Sequence, residues 1–430
     1  MKRRLVDVLQ CPACGASLDL HTIREAGEEV PHAVASPRCS RQCALLGISV
    51  PEGLRTGKVF DCTTCYSRDV TDGFLACSSC RILYPIIEGV PRLLRHSYVD
   101  YEAFFRAHVD TIRQVGGQEQ LLEKIGKVDP AVFDARSRDS FSVQWEQYNY
   151  TDRTWFKDDV ALRQHEFLQS LALRAEDLRG TLILDAGCGN GRLTASVARH
   201  GAEVVGMDFS RSVVRANQNR RAIAGEDAPF VHFLQGNIME PPLRPESFDH
   251  IHSSGVLHHT PDTWRAFASF LKLGRSGGRV YVQLYRRREL WVRLVNTPLR
   301  FLTSRLPVRL LYKLCYLMVP VHTGLVLLVA KARGESSPIR EASRRERAIS
   351  LFDHLSPRYQ YRYTPEQVRR RFVDAGLQGV TDVTFPNEAR HMVAFVGVKN
   401  GRAAAPQGVS PNTDPHRSAH GAPSDATMRS

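Results

Sequence analysis

The run Leu184-Asp185-Ala186-Gly187-Cys188-Gly189-Asn190-Gly191 decides the fold class. With Thr181-Leu182-Ile183 before it, it reads as a short buried strand that ends on an acid and breaks into a glycine-rich turn. Glycines there let the backbone turn tightly and approach a ligand closely. A helix is expected from about Arg192 to His200. Ala202 to Asp208 gives a second strand, and 211–224 a second helix. Strands at 231–236, 248–253 and 279–285 follow, with a helix at 262–272. Such alternation predicts an α/β domain: a doubly wound, mainly parallel, Rossmann-like sheet with helices on both faces. Its ligands bind beyond the carboxyl ends of the strands. Further along, Thr364 caps a helix that begins at Pro365 and ends near Ala375. Strands near 379–385 and 391–398 complete the sheet.

The acids at those strand ends choose between cofactors. The spacing is G-x-G-x-G, not the dinucleotide pattern G-x-G-x-x-G. A carboxylate at Asp185 would repel a pyrophosphate and attract an ammonium or a sulfonium. S-adenosylmethionine offers both cations and no phosphate. Asp208 ends the second strand, 17 residues after Gly191. Its carboxylate can accept from both ribose hydroxyls. Either Asp alone also suits a turn or a helix cap; the two at successive strand ends, with the glycine turn, point to a cofactor site.

Residues 181 to 290 resemble the class I S-adenosylmethionine-dependent methyltransferases, most closely the branch with ubiquinone-biosynthesis-type and other small-molecule enzymes. The resemblance rests on the glycine run, Val205-Gly206-Met207-Asp208-Phe209-Ser210, Ser247-Phe248-Asp249-His250-Ile251, Gly255-Val256-Leu257-His258-His259-Thr260-Pro261-Asp262 and Gly277-Gly278-Arg279. It continues in Tyr363-Thr364-Pro365-Glu366-Gln367-Val368 and Ala375-Gly376-Leu377. It implies that Asp185 and Gly187 hold the methionine end, with Gly189 and Gly191 in the same loop. Asp208 would hold the ribose and Phe209 pack on the adenine. Asn237-Ile238 stands where an Asp usually meets the adenine amino group; an Asn can accept through its amide oxygen. Ser254 and Gly255 would line the open side. His258 and His259 are the local candidates for a general base, with structural hydrogen bonding as the plainer role. Tyr285 is a weaker candidate.

The cysteines read separately. Eight of ten precede residue 81, in the pairs Cys11/Cys14, Cys39/Cys43, Cys62/Cys65 and Cys77/Cys80. Paired thiolates complete closed tetrahedral zinc sites of a structural kind. Cys11-Pro-Ala-Cys14 after Leu5 to Gln10, with Cys77-Ser-Ser-Cys80 and Tyr84-Pro85-Ile86-Ile87-Glu88-Gly89-Val90-Pro91, looks like the small zinc ribbons of methyltransferase activators. That resemblance implies one zinc on Cys11, Cys14, Cys77 and Cys80, with 15–73 inserted. A second zinc on Cys39, Cys43, Cys62 and Cys65 is an inference from the spacing alone.

Length and charge set the rest. The 430 residues suffice for two or three domains, and 43% hydrophobic with 24% charged residues exclude collagen, coiled coil and wholesale disorder. The expected division is a ribbon at 1–96, a helical linker and site cover at 97–180, the cofactor core at 181–286, a helical cap insert at 287–350, the end of the core at 351–400 and a disordered tail at 401–430. In the linker, Phe104, Phe105, Trp145, Tyr148, Trp155 and Phe156 suit core packing, or a cover over the ligand. Met1-Lys2-Arg3-Arg4 runs into Asp7 and Gln10 where a secretory leader needs an apolar run, so a cytoplasmic place is expected. The net charge is +13, and residues 286–350 carry fourteen Lys/Arg against four Glu. Leu314 to Ala330 is apolar but interrupted by Pro320 and Gly324. With Arg305, Arg309, Lys313, Lys331 and Arg333 beside it, it reads as a lid packed on the domain, as a peripheral contact with anionic membrane, or as a span at the lower limit of length.

The favoured reading is O- or C-methylation of a small or lipid-like acceptor. The alternative is an RNA methyltransferase with a zinc module, which the basic excess suits. A scaffold without activity is a third reading, which the intact glycine turn and both acids oppose. The position after the fourth strand reads Ser253-Ser254-Gly255-Val256, which disfavours amino-group enzymes of the Asn/Asp-Pro-Pro-Tyr type. Neither Cys188 nor Cys315 suits a cysteine-nucleophile mechanism. The oligomeric state is not encoded in any motif.

Overall fold

A computed structural model describes residues 1–114, 135–147, 160–287, 290–332, 334, 339 and 342–400. The expected tail and Tyr148, Trp155, Phe156, Arg288 and Arg333 lie outside them. The elements used below are strands β1 (Leu18–Gly27), β2 (Arg68–Cys77), β3 (Leu83–Ile87), β4 (Val90–Leu93), β5 (Leu182–Ala186), β6 (Glu203–Asp208), β7 (Val231–Gly236), β8 (Phe248–Ser254), β9 (Gly274–Tyr285), β10 (Leu377–Asp382) and β11 (Met392–Lys399). The helices are α1 (Ala135–Glu146), α2 (Val160–Leu171), α3 (Arg192–Val197), α4 (Ser212–Ala224), α5 (Thr263–Leu271), α6 (Leu290–Thr303), α7 (Val308–Ala332), α8 (Arg344–Leu355) and α9 (Pro365–Asp374).

These eleven strands form one sheet, in the order β1-β2-β3-β4-β7-β6-β5-β8-β9-β11-β10, and the short strands Gln42–Cys43 and Ile48–Ser49 pair separately. From β7 to β9 the strands are parallel, and β11 enters antiparallel between β9 and β10. β5 and β6 are buried on almost every residue, as strands covered on both faces must be. The ribbon supplies β1 to β4, and β4 pairs in parallel with β7, Arg92 beside Gln235 and Leu93 beside Gly236. The sequence gives two modules; the structure joins them into a single sheet and a single core. Leu5, Leu9, Tyr84 and Ile86 pack in one cluster with Leu234, Leu243 and Phe248. Joining edge to edge also removes the exposed edge that β7 would otherwise present.

The inner cysteines lie in the excursion between β1 and β2, whose strands pair from Leu18–Cys77 to Gly27–Arg68. Helices α6 to α8 form the insert. α7 runs unbroken through Pro320 and Gly324, which corrects the expected interruption. Pro320 is exposed, and a missing N–H there costs one backbone bond without burying an unpaired carbonyl. α8 crosses the expected boundary at residue 350.

Candidate functional site

A cavity of 1180 Å³ opens at the carboxyl ends of β5, β6 and β8. Of the ten cofactor-site residues expected from the sequence, Asp185, Gly187, Asp208, Phe209, Asn237, Ile238, Ser254 and Gly255 line it. Gly189 and Gly191 stand behind the wall. Both have positive φ, and a Cβ on Gly189 would lie 2.6 Å from the Trp145 ring, one on Gly191 2.5 Å from Phe233. They shape the turn so that its neighbours face the cavity.

The two acids are held in place. Asp185 Oδ2 accepts from Thr194 Oγ1 at 2.6 Å, and Oδ1 lies 3.2 Å from His252 Nδ1. Asp208 Oδ2 accepts from the Gly189 N–H at 2.9 Å, while Oδ1 accepts from Ser210 N and Oγ at 2.8 and 2.7 Å. Burial pushes the Asp208 carboxyl above its ordinary range, against those hydrogen bonds. Asn237 Oδ1 accepts from Met239 N–H at 2.9 Å, which engages one of its two lone pairs. Ser254 Oγ donates to Gln283 Oε1 at 2.7 Å.

The donor set fits S-adenosylmethionine. The carboxylates of Asp185 and Asp208 face the cavity at the strand ends, and Phe209, Ile238 and Val256 are among the apolar residues that line it. Gly255 lines it with φ +74° and nothing within 4 Å of where a Cβ would stand, a space any side chain would fill. Phe141, Gln144 and Trp145 of α1 also line it, so Trp145 is the member of the expected aromatic cover that, among the described residues, reaches the ligand space. Phe105 packs away from it, with Phe74, Tyr98 and Phe104.

The expected bases part company. His259 lines the cavity, its Nδ1 2.9 Å from the Tyr359 carbonyl. Burial lowers its pKa to about 3, so it is neutral near pH 7. His258 is fully buried and absent from the cavity wall. Neither of its ring nitrogens has a hydrogen-bond partner among the described residues, and burial holds it well below the usual histidine range. Its ring packs on Tyr285, 3.9 Å between centroids.

The sequence reading missed Asp353. This α8 residue is buried and on the cavity wall, where it accepts from Tyr285 Oη at 3.0 Å. Burial pushes its carboxyl up to about 6, against bonds from Tyr285 and Gln144 and the charge of Arg300. One signal was present: Glu346, Ile349, Phe352 and Asp353 share a helical face, and acids on a buried stripe are unusual. The ribbon also reaches the cavity, through Pro12 and Leu93 to His96, which no motif announced.

The outer cysteine quartet is the one group of His, Cys, Asp or Glu among the described residues whose ligand atoms gather within 4.8 Å. Cys11 and Cys80 Sγ lie 3.6 Å apart, Cys14 and Cys77 3.5 Å. Zinc–sulfur bonds of 2.3 Å at tetrahedral angles need about 3.8 Å, so a structural zinc fits. Cys39, Cys43, Cys62 and Cys65 do not form such a group. They are buried in two apolar clusters, Cys39 and Cys43 with Val50 and Phe60, Cys62 and Cys65 with Tyr66.

The seven strands of the sheet from β7 across to β10, with β11 antiparallel and acids closing β5 and β6 beside a glycine turn, have the arrangement of a class I methyltransferase domain. Residues 184–282 match the family described as Methyltransferase domain, and residues 2–89 match Trm112p-like protein. The chain thus joins a methyltransferase domain to a Trm112-like ribbon. It is 32% identical over 124 residues to a Ubiquinone biosynthesis O-methyltransferase of Proteus mirabilis, covering 28% of this chain and 49% of that one. It is 29% identical over 120 residues to a Demethylmenaquinone methyltransferase of Thermobifida fusca, covering 28% and 50%. The chain therefore spans about half the length of the curated relatives it matches. Among solved structures, a chain in a complex between the Haloferax volcanii Trm112 methyltransferase activator and a methyltransferase aligns at 18% identity and TM-score 0.38, covering 63% of this chain and all of that one.

Proposed function

We propose that the protein is an S-adenosylmethionine-dependent methyltransferase that methylates a hydroxyl on a small, largely apolar acceptor. One observation carries the reading: a single cavity holds Asp185 and Asp208 on the strand ends and the Asp353–Tyr285 pair on its wall. When bound, the cofactor supplies an electrophilic methyl on a sulfonium sulfur.

The chain's residues do the rest. Asp185 and Gly187 hold the cationic methionine end, and Asp208 accepts from the ribose hydroxyls. Phe209 and Ile238 pack on the base. Asp353 takes the proton of the acceptor hydroxyl as its oxygen becomes the nucleophile. A carboxyl raised to about 6 is ionised at neutral pH and still basic enough to receive it. Tyr285 fixes the orientation of Asp353. Trp145, Phe141 and Val256 exclude water and hold the acceptor in line, from which much of the acceleration comes. His259 lines the acceptor space in its neutral form.

Labelled methyl transfer from S-adenosylmethionine to hydroxylated quinones and simple phenols tests this. Transfer to one of these, lost in Asp353→Asn while cofactor affinity stays within about twofold, supports it. Transfer to RNA with none to the small acceptors would establish the RNA reading instead. The Trm112-like ribbon favours that reading, but beside Pro12, Leu93, Leu94 and His96 it brings one arginine to the cavity, Arg95, and that is paired with Glu240.

A further inference from the structure

Helix α7 carries an apolar face that the described parts of the protein leave uncovered. Leu311, Cys315, Val319 and Thr323 form its buried stripe. Leu311 and Cys315 pack on Phe352 and Leu355 of α8. Leu310, Leu314, Leu317, Val321, Leu325 and Leu328 point the other way. Leu317, Leu325 and Leu328 are 66%, 58% and 65% exposed. Phe301 and Leu302 at the end of α6 extend the patch. Exposed apolar area on this scale marks an interaction site.

Charge identifies what covers it. Between residues 290 and 334 there are seven Lys/Arg and no acidic residue. Lys313 and Lys331 are eighteen positions apart, about five helical turns. Both therefore sit on one line along the border of the apolar face, and both are exposed. Arg305 and Arg309 are exposed at the start of the helix. Leucines bordered by cations, with no carboxylate among them, match an anionic bilayer: side chains enter the acyl boundary and ammonium groups meet phosphates.

α7 is also the one helix among the described residues long and apolar enough to cross a membrane. Its buried stripe, however, is packed on α8, and Arg344 of α8 donates to the Tyr316 carbonyl and stacks over the Tyr316 ring. A span would have to strip those contacts and leave Phe352 bare.

We propose that the outer face of α7, with the end of α6, docks the protein flat on an anionic lipid bilayer. The same helix walls the cavity through Val326, and Ile339 beyond it does so too. Resting on the functional reading above, docking sets the cavity beside the bilayer, the source of an apolar acceptor. Docking itself needs neither cofactor nor activity.

Vesicle co-sedimentation of the full chain, without cofactor, tests the surface separately from the methyl transfer. The expected result is binding to mixed phosphatidylglycerol–phosphatidylcholine vesicles, weakened about tenfold or more by high salt or pure phosphatidylcholine. The doubly substituted Leu317→Glu/Leu328→Glu protein loses it, with far-ultraviolet circular dichroism and melting temperature as for the parent. Lys313→Glu/Lys331→Glu, which keeps the leucines, loses the salt-sensitive part. Absence of binding to anionic vesicles overturns the proposal. So does a dimer that Leu317→Glu/Leu328→Glu dissociates while vesicles leave it intact, because the face would then belong to a second copy. Retention on vesicles through an alkaline carbonate wash overturns it in favour of a span.

Discussion

Asp353 and the glycines show what one residue decides. Burial raises the Asp353 carboxyl, so native-state stability falls as pH rises from the unfolded value of about 3.9 to about 6, and the whole cost is present above that. Two outcomes follow. The pH–rate profile should fall as pH drops below about 6, where the base is protonated. Asp353→Asn should abolish that limb, lower turnover by about a hundredfold or more and melt no lower than the parent at pH 8. A variant that keeps the parent's rate and profile removes Asp353 from catalysis. Gly189 and Gly255 make a second pair. A Cβ at 189 meets Trp145 at 2.6 Å, and at 255 meets nothing within 4 Å, and both positions have positive φ. Both alanine variants should lose about 1–3 kcal/mol to backbone strain. Gly189→Ala should also displace Trp145, read as an altered tryptophan emission; Gly255→Ala should weaken cofactor binding in calorimetry with the emission unchanged.

Elements meet where the ribbon joins the core, and a buried ion cluster fixes the join. Glu203, at the start of β6, accepts from Tyr66 Oη at 2.7 Å and Arg38 Nε at 3.2 Å, lies 2.9 Å from His232 Nε2, and pairs with Arg4 at 3.5 Å. Its arginine neighbours hold its carboxyl well below the usual range, although burial alone would raise it. Glu203→Gln leaves two guanidinium groups without that carboxylate and should destabilise the protein by about 3–5 kcal/mol. A depressed carboxyl contributes its stability above the unfolded value of about 4.3 and loses it as pH falls further. The parent's melting temperature should therefore drop steeply below about pH 4, and the variant's should drop less, since Asp69, held low by the N-terminus, Arg220 and Lys2, remains. The inner cysteines belong to the same ribbon: burial pushes Cys65 up to about 12, the behaviour of a packed thiol. Elemental analysis should find one zinc per chain, lost in Cys80→Ser; two would place the second ion among Cys39, Cys43, Cys62 and Cys65.

At the scale of the molecule, the zinc knuckle and the cofactor space share a wall. Pro12 lies between Cys11 and Cys14 of the outer quartet and lines the cavity, as do Leu93 to His96, with Arg95 paired to Glu240 at 2.8 Å. Removing zinc should loosen Cys11–Cys14 and with it that wall. Chelated protein should bind S-adenosylmethionine about tenfold or more weakly, and added zinc should restore it. Equal affinity with and without zinc would make the ribbon thermodynamically independent of the site.

Much of the core was legible because its physics is local. β5, β6 and β8 are apolar runs closed by acids or turns, and structure and sequence agree on them within one or two residues. The Thr364 cap also follows from its own neighbours, its Oγ accepting from Gln367 N–H at 3.3 Å. The outer cysteine quartet was legible because thiolate pairs advertise a metal by spacing alone. What tertiary structure decided was what comes together from far apart. Pairing β4 with β7 turned two modules into one sheet, a choice of edge that no alternation pattern contains. Folding α8 back over β9 set Asp353 against Tyr285, 68 residues away, and gave a carboxyl its burial and hence its proton affinity. The same packing sealed His258 away from the cavity and left His259 on it, though they are neighbours in the chain. Sequence determined the elements and their chemistry, because strand period, caps and ligand spacing are short-range. Structure determined which groups are desolvated together, because burial is a property of the assembled whole.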